Sequence, residues 1–388
     1  MSQTKAQLVS GTTAQDLTVD NINTTSINSG QASGRKNIII NGAMLVAQRG
    51  TSSTTSGDFA ADRYKPQWFG TDENPTMAQV DVASGTTPYT SGFRKAIKIT
   101  NGNQTGGAGA GDYVYIRYKV EAQDIANSGW NYVSSSSYIT LSFWIKSSVA
   151  QNFYGRLETP DGTAQNYPFE TGSLSADTWT KITKKIPGNS NLTFDNNNAT
   201  GIEIFWQIFR GTDFTDNSVS NDTWAAYASG TRTKDATSTW YTTNDSTYEI
   251  TGVQLEVGST ATDFEHRSFA EELALCQRYF QSITAGFVTG ARGASSSMLL
   301  YSVTTPVNLR SSPTIAVNND LGHSNFSTRS YRDGSGTSDS GSTPSANSTY
   351  FRSEGNIVHL QQDGFSVTDD RSAVIFYSGG AITMDSEL

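Results

Sequence analysis

The stretch Ile250 to Gln281, ITGVQLEVGSTATDFEHRSFAEELALCQRYFQ, limits what the rest of this 388-residue chain can be, because it joins a strand, a stop and a capped helix without a gap. Val253, Leu255 and Val257 alternate with Gly252, Gln254 and Glu256, the period of two expected where one face of a strand meets a core. Gly258 ends the run. Ser268 followed three residues later by Glu271 fits a capping box, in which hydroxyl and carboxylate each satisfy a backbone donor left over at a helix start. Phe269, Leu273, Cys276 and Phe280 then fall on one helical stripe, with Glu272, Gln277 and Arg278 off it. An all-β region is therefore expected to close here, a short amphipathic helix to pack beside it, and a new region to begin after Gln281.

Upstream of that closure the chain reads as strands separated by polar turns. FRKAIKIT (93–100), DYVYIRYKV (112–120), SYITLSFWIK (137–146), NFYGRLET (152–159), TWTKITKKI (178–186) and GIEIFWQIF (201–209) all have strand character, and Ile38 to Ile40 before the Asn41-Gly42 turn form a further apolar run. No helices alternate with them. With 35 glycines, 11% aromatic and only 16% charged residues, the composition favours β structure over helical bundles. The predicted fold is mainly β: a jelly-roll sandwich over 36–267, a connecting helix over 268–281 and a smaller C-terminal β tip domain over 282–388. Within the last part, MLLYSVTTPVNL, PTIAVNN, NIVHLQQ, FSVT, SAVIFYS and AITM read as strands, and 330–350 as a long polar loop of the kind that is functional or disordered. Residues 1–35 carry isolated apolar residues in a Thr, Asn, Ser and Gln background and cannot bury a core of their own.

The formal net charge of −9 argues against nucleic acid or an anionic membrane as the main partner, since both are bound largely through clustered Lys and Arg. The single cysteine, Cys276, allows no intrachain disulfide and sits on the helix stripe as a small buried residue. The first 30 residues lack the charged start and apolar run of a signal peptide, and no segment approaches 18 consecutive apolar residues. Folding in a cytoplasm without membrane insertion is expected, which suits a virion component released by lysis and also a cytoplasmic binding protein.

GRKNIIINGAMLVAQRG near the start, ADRY at 61–64, YITLSFWIKSS at 138–148 and the 250–281 stretch together resemble tail-fibre or receptor-binding proteins of bacteriophages. YITLSFWIKSS and GVQLEVG also look like the carbohydrate-binding jelly rolls that accompany glycanases. The resemblance spans about residues 35–281, with a weaker echo in AITMDSEL. It implies a homotrimeric virion adhesin, assembled in the host cytoplasm, whose residues 1–35 attach to other phage tail proteins and whose sandwich and tip face a host cell-surface polysaccharide. It supplies no catalytic residues. A purely structural virion fibre or connector is the alternative, with a glycan depolymerase as a third class.

The chemistry in the residues favours binding over catalysis. His266, His323 and His359 are the only histidines, none at metal-ligand spacing from another, and no cysteine pair exists for zinc, so neither metal nor cofactor is assigned and no enzyme is expected. GxSxG, P-loop and dinucleotide fingerprints are missing. Paired carboxylates, which a depolymerase needs, cannot be selected from 36 acidic residues by spacing. Alternation points elsewhere. Val114, Ile116, Tyr118 and Val120 facing inward leave Tyr113, Tyr115, Arg117 and Lys119 outward; Ile139, Leu141, Phe143 and Ile145 inward leave Trp144 outward; Ile202, Ile204, Trp206 and Ile208 inward leave Glu203, Phe205, Gln207 and Phe209 outward. Flat rings cover the apolar faces of sugars while guanidinium and amide groups read hydroxyls, so Tyr113, Tyr115, Arg117 and Trp144 are the candidate glycan platform. The competing interpretation covers those rings with a loop, the helix or a neighbouring subunit. A second location is the 330–350 loop with Tyr331, Arg332 and Tyr350.

Overall fold

The computed structural model describes residues 26–27, 30–31, 35–284, 288–295, 298–318, 326–332, 335–340, 352–354, 357–363, 372–377 and 381–388. Ten strands build a β-sandwich of jelly-roll type: β1 (Lys65–Phe69), β2 (Thr76–Asp81), β3 (Lys95–Thr100), β4 (Tyr113–Glu121), β5 (Tyr138–Ser147), β6 (Asn152–Thr159), β7 (Gln165–Ser173), β8 (Thr180–Pro187), β9 (Thr200–Arg210) and β10 (Thr247–Val257). The front sheet has the order β7-β6-β9-β4-β1, with Ala225–Ala226 added beyond β7, and the back sheet β8-β5-β10-β3-β2, with Ser52–Ser53 beyond β2. Every pairing is antiparallel. The inner faces meet in one core in which Val114, Ile116, Tyr118, Ile202, Ile204 and Trp206 of the front sheet face Ile97, Leu141, Phe143, Ile145 and Leu255 of the back. Burying such side chains stabilises by about 1.5 to 3 kcal/mol each, which fixes strand register wherever the alternation is clean.

One inward–outward assignment reverses. Phe209 lies opposite Val114 and faces the core, stacked 4.4 Å from Tyr241, because the ladder between β9 and β4 shifts between Gln207 and Phe209. A bulge adds one residue, and every later side chain changes face. Arg210 is thereby turned outward beside Tyr113. The Ile38–Ile40 run is buried or nearly so but belongs to no strand. It lies along β10 through Ile38 N donating to the Leu255 carbonyl, and Asn37 clamps it there by accepting from Leu255 N and Ile39 N.

The helix forms at Phe269–Gln277 with Ser268 as its N-cap, accepting from Glu271 N at 3.2 Å. Only half of the expected box is present, since the Glu271 carboxylate pairs with Arg35. The buried face also differs from the expected stripe. Cys276 and Phe280 of that stripe are buried, but Phe269 is 58% exposed, and Glu272 and Tyr279, off the stripe, are buried. Glu272 is drawn in by polar partners that period alone does not reveal: it accepts from Asn41 N and from Arg267, which also donates to the carbonyls of Asn37 and Ile39.

Beyond the helix run β11 (Phe280–Thr284), β12 (Val288–Ser295), β13 (Met298–Thr304), β14 (Thr314–Asn318), β15 (Phe326–Arg332), β16 (Ser335–Ser340), β17 (Arg352–Glu354), β18 (Ile357–Asp363), β19 (Ser372–Tyr377) and β20 (Ala381–Asp385). They make a three-stranded sheet, β11-β20-β14, and a seven-stranded one, β16-β15-β19-β12-β13-β18-β17. The first half of the expected 330–350 loop is therefore a hairpin, with Tyr331 opposite Gly336 and Arg332 opposite Ser335. Asp333-Gly334, between the two strands, is the short hairpin signal that a loop reading passes over. The FSVT strand at 365–368 and most of the attachment segment 1–35 lie outside the described residues.

The segments that carry the resemblance turn out to hold these parts together. Arg63 of ADRY is buried, lies 3.4 Å over the Tyr279 ring, donates to the Lys119 carbonyl and pairs with Glu387. Tyr64 packs 4.9 Å from Tyr118 in the core. Arg310 ties the end of the three-stranded sheet back to the sandwich by donating to the carbonyls of Ser386 and Asn198. These residues close the fold.

Candidate functional site

Four of the seven candidate residues are outward on the sandwich, but they do not share a face. Tyr113, Tyr115 and Arg117 lie on β4 of the front sheet, and Trp144 on β5 of the back sheet. β4 and β5 follow each other in sequence but lie in opposite sheets, so outward means opposite directions for them. A platform combining Trp144 with the tyrosines is excluded, because the packed core lies between them.

On the front face, Phe69, Tyr113 and Tyr115 form a row across β1 and β4, with ring centroids 5.8 Å apart for the first pair and 5.2 Å for the second. Phe69 is 63% exposed and Tyr113 partly so, but Tyr115 is buried against Phe205, its hydroxyl hydrogen-bonded to Gln67 at 3.0 Å. Burial pushes the Tyr115 hydroxyl above its ordinary pKa. Arg117 and Lys119 share one carboxylate, Glu203, at 3.7 and 3.3 Å. The chain between β9 and β10 lies over the other side of this face: Thr233 donates to Gln207, Asn166 donates to the Arg232 carbonyl, and Phe214 packs edge-on to Tyr113. Residue periodicity signals the outward set but cannot signal this covering segment, which buries Phe205 and Gln207.

Trp144 stands in a true concavity. A cavity of about 460 Å³ opens on the back sheet, lined by Phe93, Trp144, Phe264 and His266 with Lys181 and Asp263 among its polar groups. The indole is half-buried, flanked by Phe93 and Phe264, whose rings meet edge-on at 4.8 Å. His266 Nε2 donates to the Ser91 carbonyl at 3.0 Å and its ring packs 4.9 Å from Phe264. Gly252 makes this possible. At the irregularity where β10 loses register with β5 it takes φ +63°, and a side chain there would meet Phe93 and Trp144 at 3.0 Å or less. Concave sites of this volume, in which aromatic rings meet converging polar groups, are where small ligands bind.

Sequence reasoning selects Trp144 but misses Phe93, Phe264 and His266, which come from loops 51 or more positions away in sequence. Phe93, expected to open the 93–100 strand, precedes it in the loop, and for Phe264 and His266 no alternation marks a loop residue. Tyr331 and Arg332 are strand residues of the C-terminal hairpin, and Tyr350 lies outside the described residues. Among the described residues no group of three or more His, Cys, Asp or Glu is placed to hold a metal ion.

No protein-family model and no curated protein matches the chain. Among solved structures it is similar to the enzymatically active domain of tailspike protein 4 of bacteriophage CBA120, at 11% identity over 57% of this chain and 21% of that one, with a TM-score of 0.29. The chain thus spans about a fifth of that relative's length. It is also similar to a putative sugar binding protein from Bacteroides thetaiotaomicron (12% identity, 57% and 99% covered, TM-score 0.29) and to a family 11 carbohydrate-binding module from Clostridium thermocellum (12%, 56% and 98%, TM-score 0.23). At these scores the similarities carry no argument about function.

Proposed function

We propose that this chain is a non-enzymatic adhesin of a bacteriophage tail that binds host-surface glycan at the Trp144 cavity. The observation that carries the reading is the half-buried indole set in a 460 Å³ concavity between Phe93, Phe264 and His266. A pyranose lays its C–H face on an indole, and Lys181, Asp263 and Ser142 supply donors and acceptors for its hydroxyls. The tail assignment draws on the sequence resemblance through 35–281, with residues 1–35 as the attachment segment, the virion as location and a homotrimer as the assembly. Several weak sugar sites on one particle raise avidity by about 10² to 10⁴ without any new contact.

Trp144→Ala tests this. Binding of the full chain to an array of immobilised oligosaccharides is expected to fall at least tenfold, with a small change in the melting curve, because the ring is only half-buried. A fully buried tryptophan would instead cost about 3 to 5 kcal/mol of stability. Unchanged binding by a variant that melts like the parent removes the cavity from the mechanism. Absence of binding by the parent to every glycan favours a structural fibre, and release of oligosaccharides from a polysaccharide substrate would establish the depolymerase class.

A further inference from the structure

We infer that the outer face of the front sheet holds a second site, for the carboxylate of an acidic saccharide, with Arg210 as its buried anchor and the Tyr113–Phe69 row as its stacking surface. This site faces away from the Trp144 cavity and stands independently of it.

Among the described residues, Arg210 differs from the other enclosed arginines. Arg49, Arg63, Arg156 and Arg267 each have a carboxylate within 4.0 Å: Asp62, Asp385 and Glu387 for Arg49, Glu387 for Arg63, Glu158 for Arg156, and Glu265 and Glu272 for Arg267. Arg210 is only 3% exposed, and among the described residues no carboxylate reaches it. Its guanidinium lies between the rings of Tyr113, Tyr115 and Phe214, at 5.1, 5.0 and 5.1 Å from their centroids. Ring faces offset part of the lost hydration of a cation, yet a buried charge without a counterion stays costly.

The surroundings add cations. Arg232, which pairs with no carboxylate among the described residues, also lies over the Phe214 ring at 4.8 Å, and Arg156 lies 3.7 Å over Phe205. Burial first, and then Arg232 and Arg156, hold the Arg210 guanidinium down at about 10. Three buried donors here have no partner, Arg210 Nε, Arg156 Nε and Gln207 Nε2. Water could accept from each N–H but would leave the charge unanswered; an anion answers both. Outward on β1, β4 and β9 stand Lys65, Arg117, Lys119 and Arg210 against Glu203 and Glu121, and Glu121 is taken by Arg278. In a chain of formal net charge −9 this is a local reversal of sign. Tyr113 and Phe214 are only partly buried, so the guanidinium lies one side chain deep.

A saccharide fits better than a bare oxyanion or a nucleic acid. The stacked and exposed Phe69–Tyr113 pair offers an apolar face for a pyranose, and Gln67 beside it reads hydroxyls. The overall negative charge opposes a polymer as densely charged as nucleic acid.

Affinity electrophoresis of the full chain through gels containing polygalacturonate, dextran or single-stranded DNA reads this out. Retardation by polygalacturonate and not by dextran or DNA is expected. Arg210→Met should weaken it at least tenfold and at the same time raise the melting midpoint, since it removes an unanswered buried charge. Trp144→Ala should leave retardation by polygalacturonate unchanged. No retardation of the parent by polygalacturonate at low salt overturns the inference, as does equal retardation by DNA, which would mean binding by charge alone. An Arg210→Met variant that binds polygalacturonate like the parent overturns it too. Should that variant not fold, Arg210→Lys decides: it keeps the charge, loses the planar fork, and is expected to lose most of the retardation.

Discussion

Arg278→Ala is expected to destabilise the folded chain by about 3 kcal/mol, the low end of the cost of stranding a buried charge, because the Arg278 side chain is itself 33% exposed. The partner left behind is Glu121 at the end of β4, whose side chain is fully buried. It accepts from Arg278 Nε and Nη2 at 2.8 and 2.9 Å, from the Tyr279 hydroxyl at 2.6 Å and from Gln123. Burial pushes the Glu121 carboxyl up, but the hydrogen bonds from Arg278 and Tyr279 and the arginine charge outweigh it and hold the group below its ordinary value. A carboxyl whose folded pKa is lowered contributes stability that is fully present above the ordinary glutamate value, about 4.3, and is lost as pH falls through the folded one. Without Arg278 the lowering is gone. The gap between parent and variant in urea unfolding should therefore be widest near pH 7 and narrow in acid. Glu121→Gln combined with Arg278→Met should recover part of the loss at pH 7, since neither charge is then stranded. A gap below about 1 kcal/mol at pH 7 would mean the pair behaves like an exposed one.

Asn41→Ala is expected to cost about 3 kcal/mol or more. Asn41 is fully buried with φ +59°, in the left-handed region. Its Nδ2 donates to the carbonyls of Val46 and Asp62, each at 2.9 Å, and its Oδ1 accepts from Val46 N at 3.0 Å. Leaving such buried groups unpaired costs about 1 to 3 kcal/mol apiece, and the conformation itself is unfavourable for alanine. Asn41→Gly removes the bonds but relieves the backbone, so thermal melting should rank Asn above Gly above Ala. Equal loss for Gly and Ala would show that the backbone conformation contributes nothing.

Asn41, Arg63 and Arg278 stand at junctions where loops, helix and last strand must satisfy buried polar groups far apart in sequence, and few residue types can do so. The proposed binding groups, in contrast, lie on outward faces that this closure leaves unconstrained.

Alternation of apolar residues was sufficient to find β3, β4, β5, β6, β8, β9 and β10, because one face of each is buried in the core and the side-chain period is two. It was insufficient for β1 and β7, where Pro66 and Pro168 break the pattern of a paired strand, and for β2, where TMAQVD carries little contrast between faces. The outward assignment of Tyr113, Tyr115, Arg117 and Trp144 follows from the chain alone, since it needs only local geometry. Their separation onto opposite sides of the sandwich does not, because it depends on which sheet each strand joins. The bulge that turns Phe209 inward and Arg210 outward, the loops that bring Phe93, Phe264 and His266 around Trp144, and the lack of a carboxylate beside Arg210 among the described residues are likewise consequences of long-range packing. Charge and hydropathy along a sequence determine which side chains need a partner; only the tertiary structure decides whether one arrives.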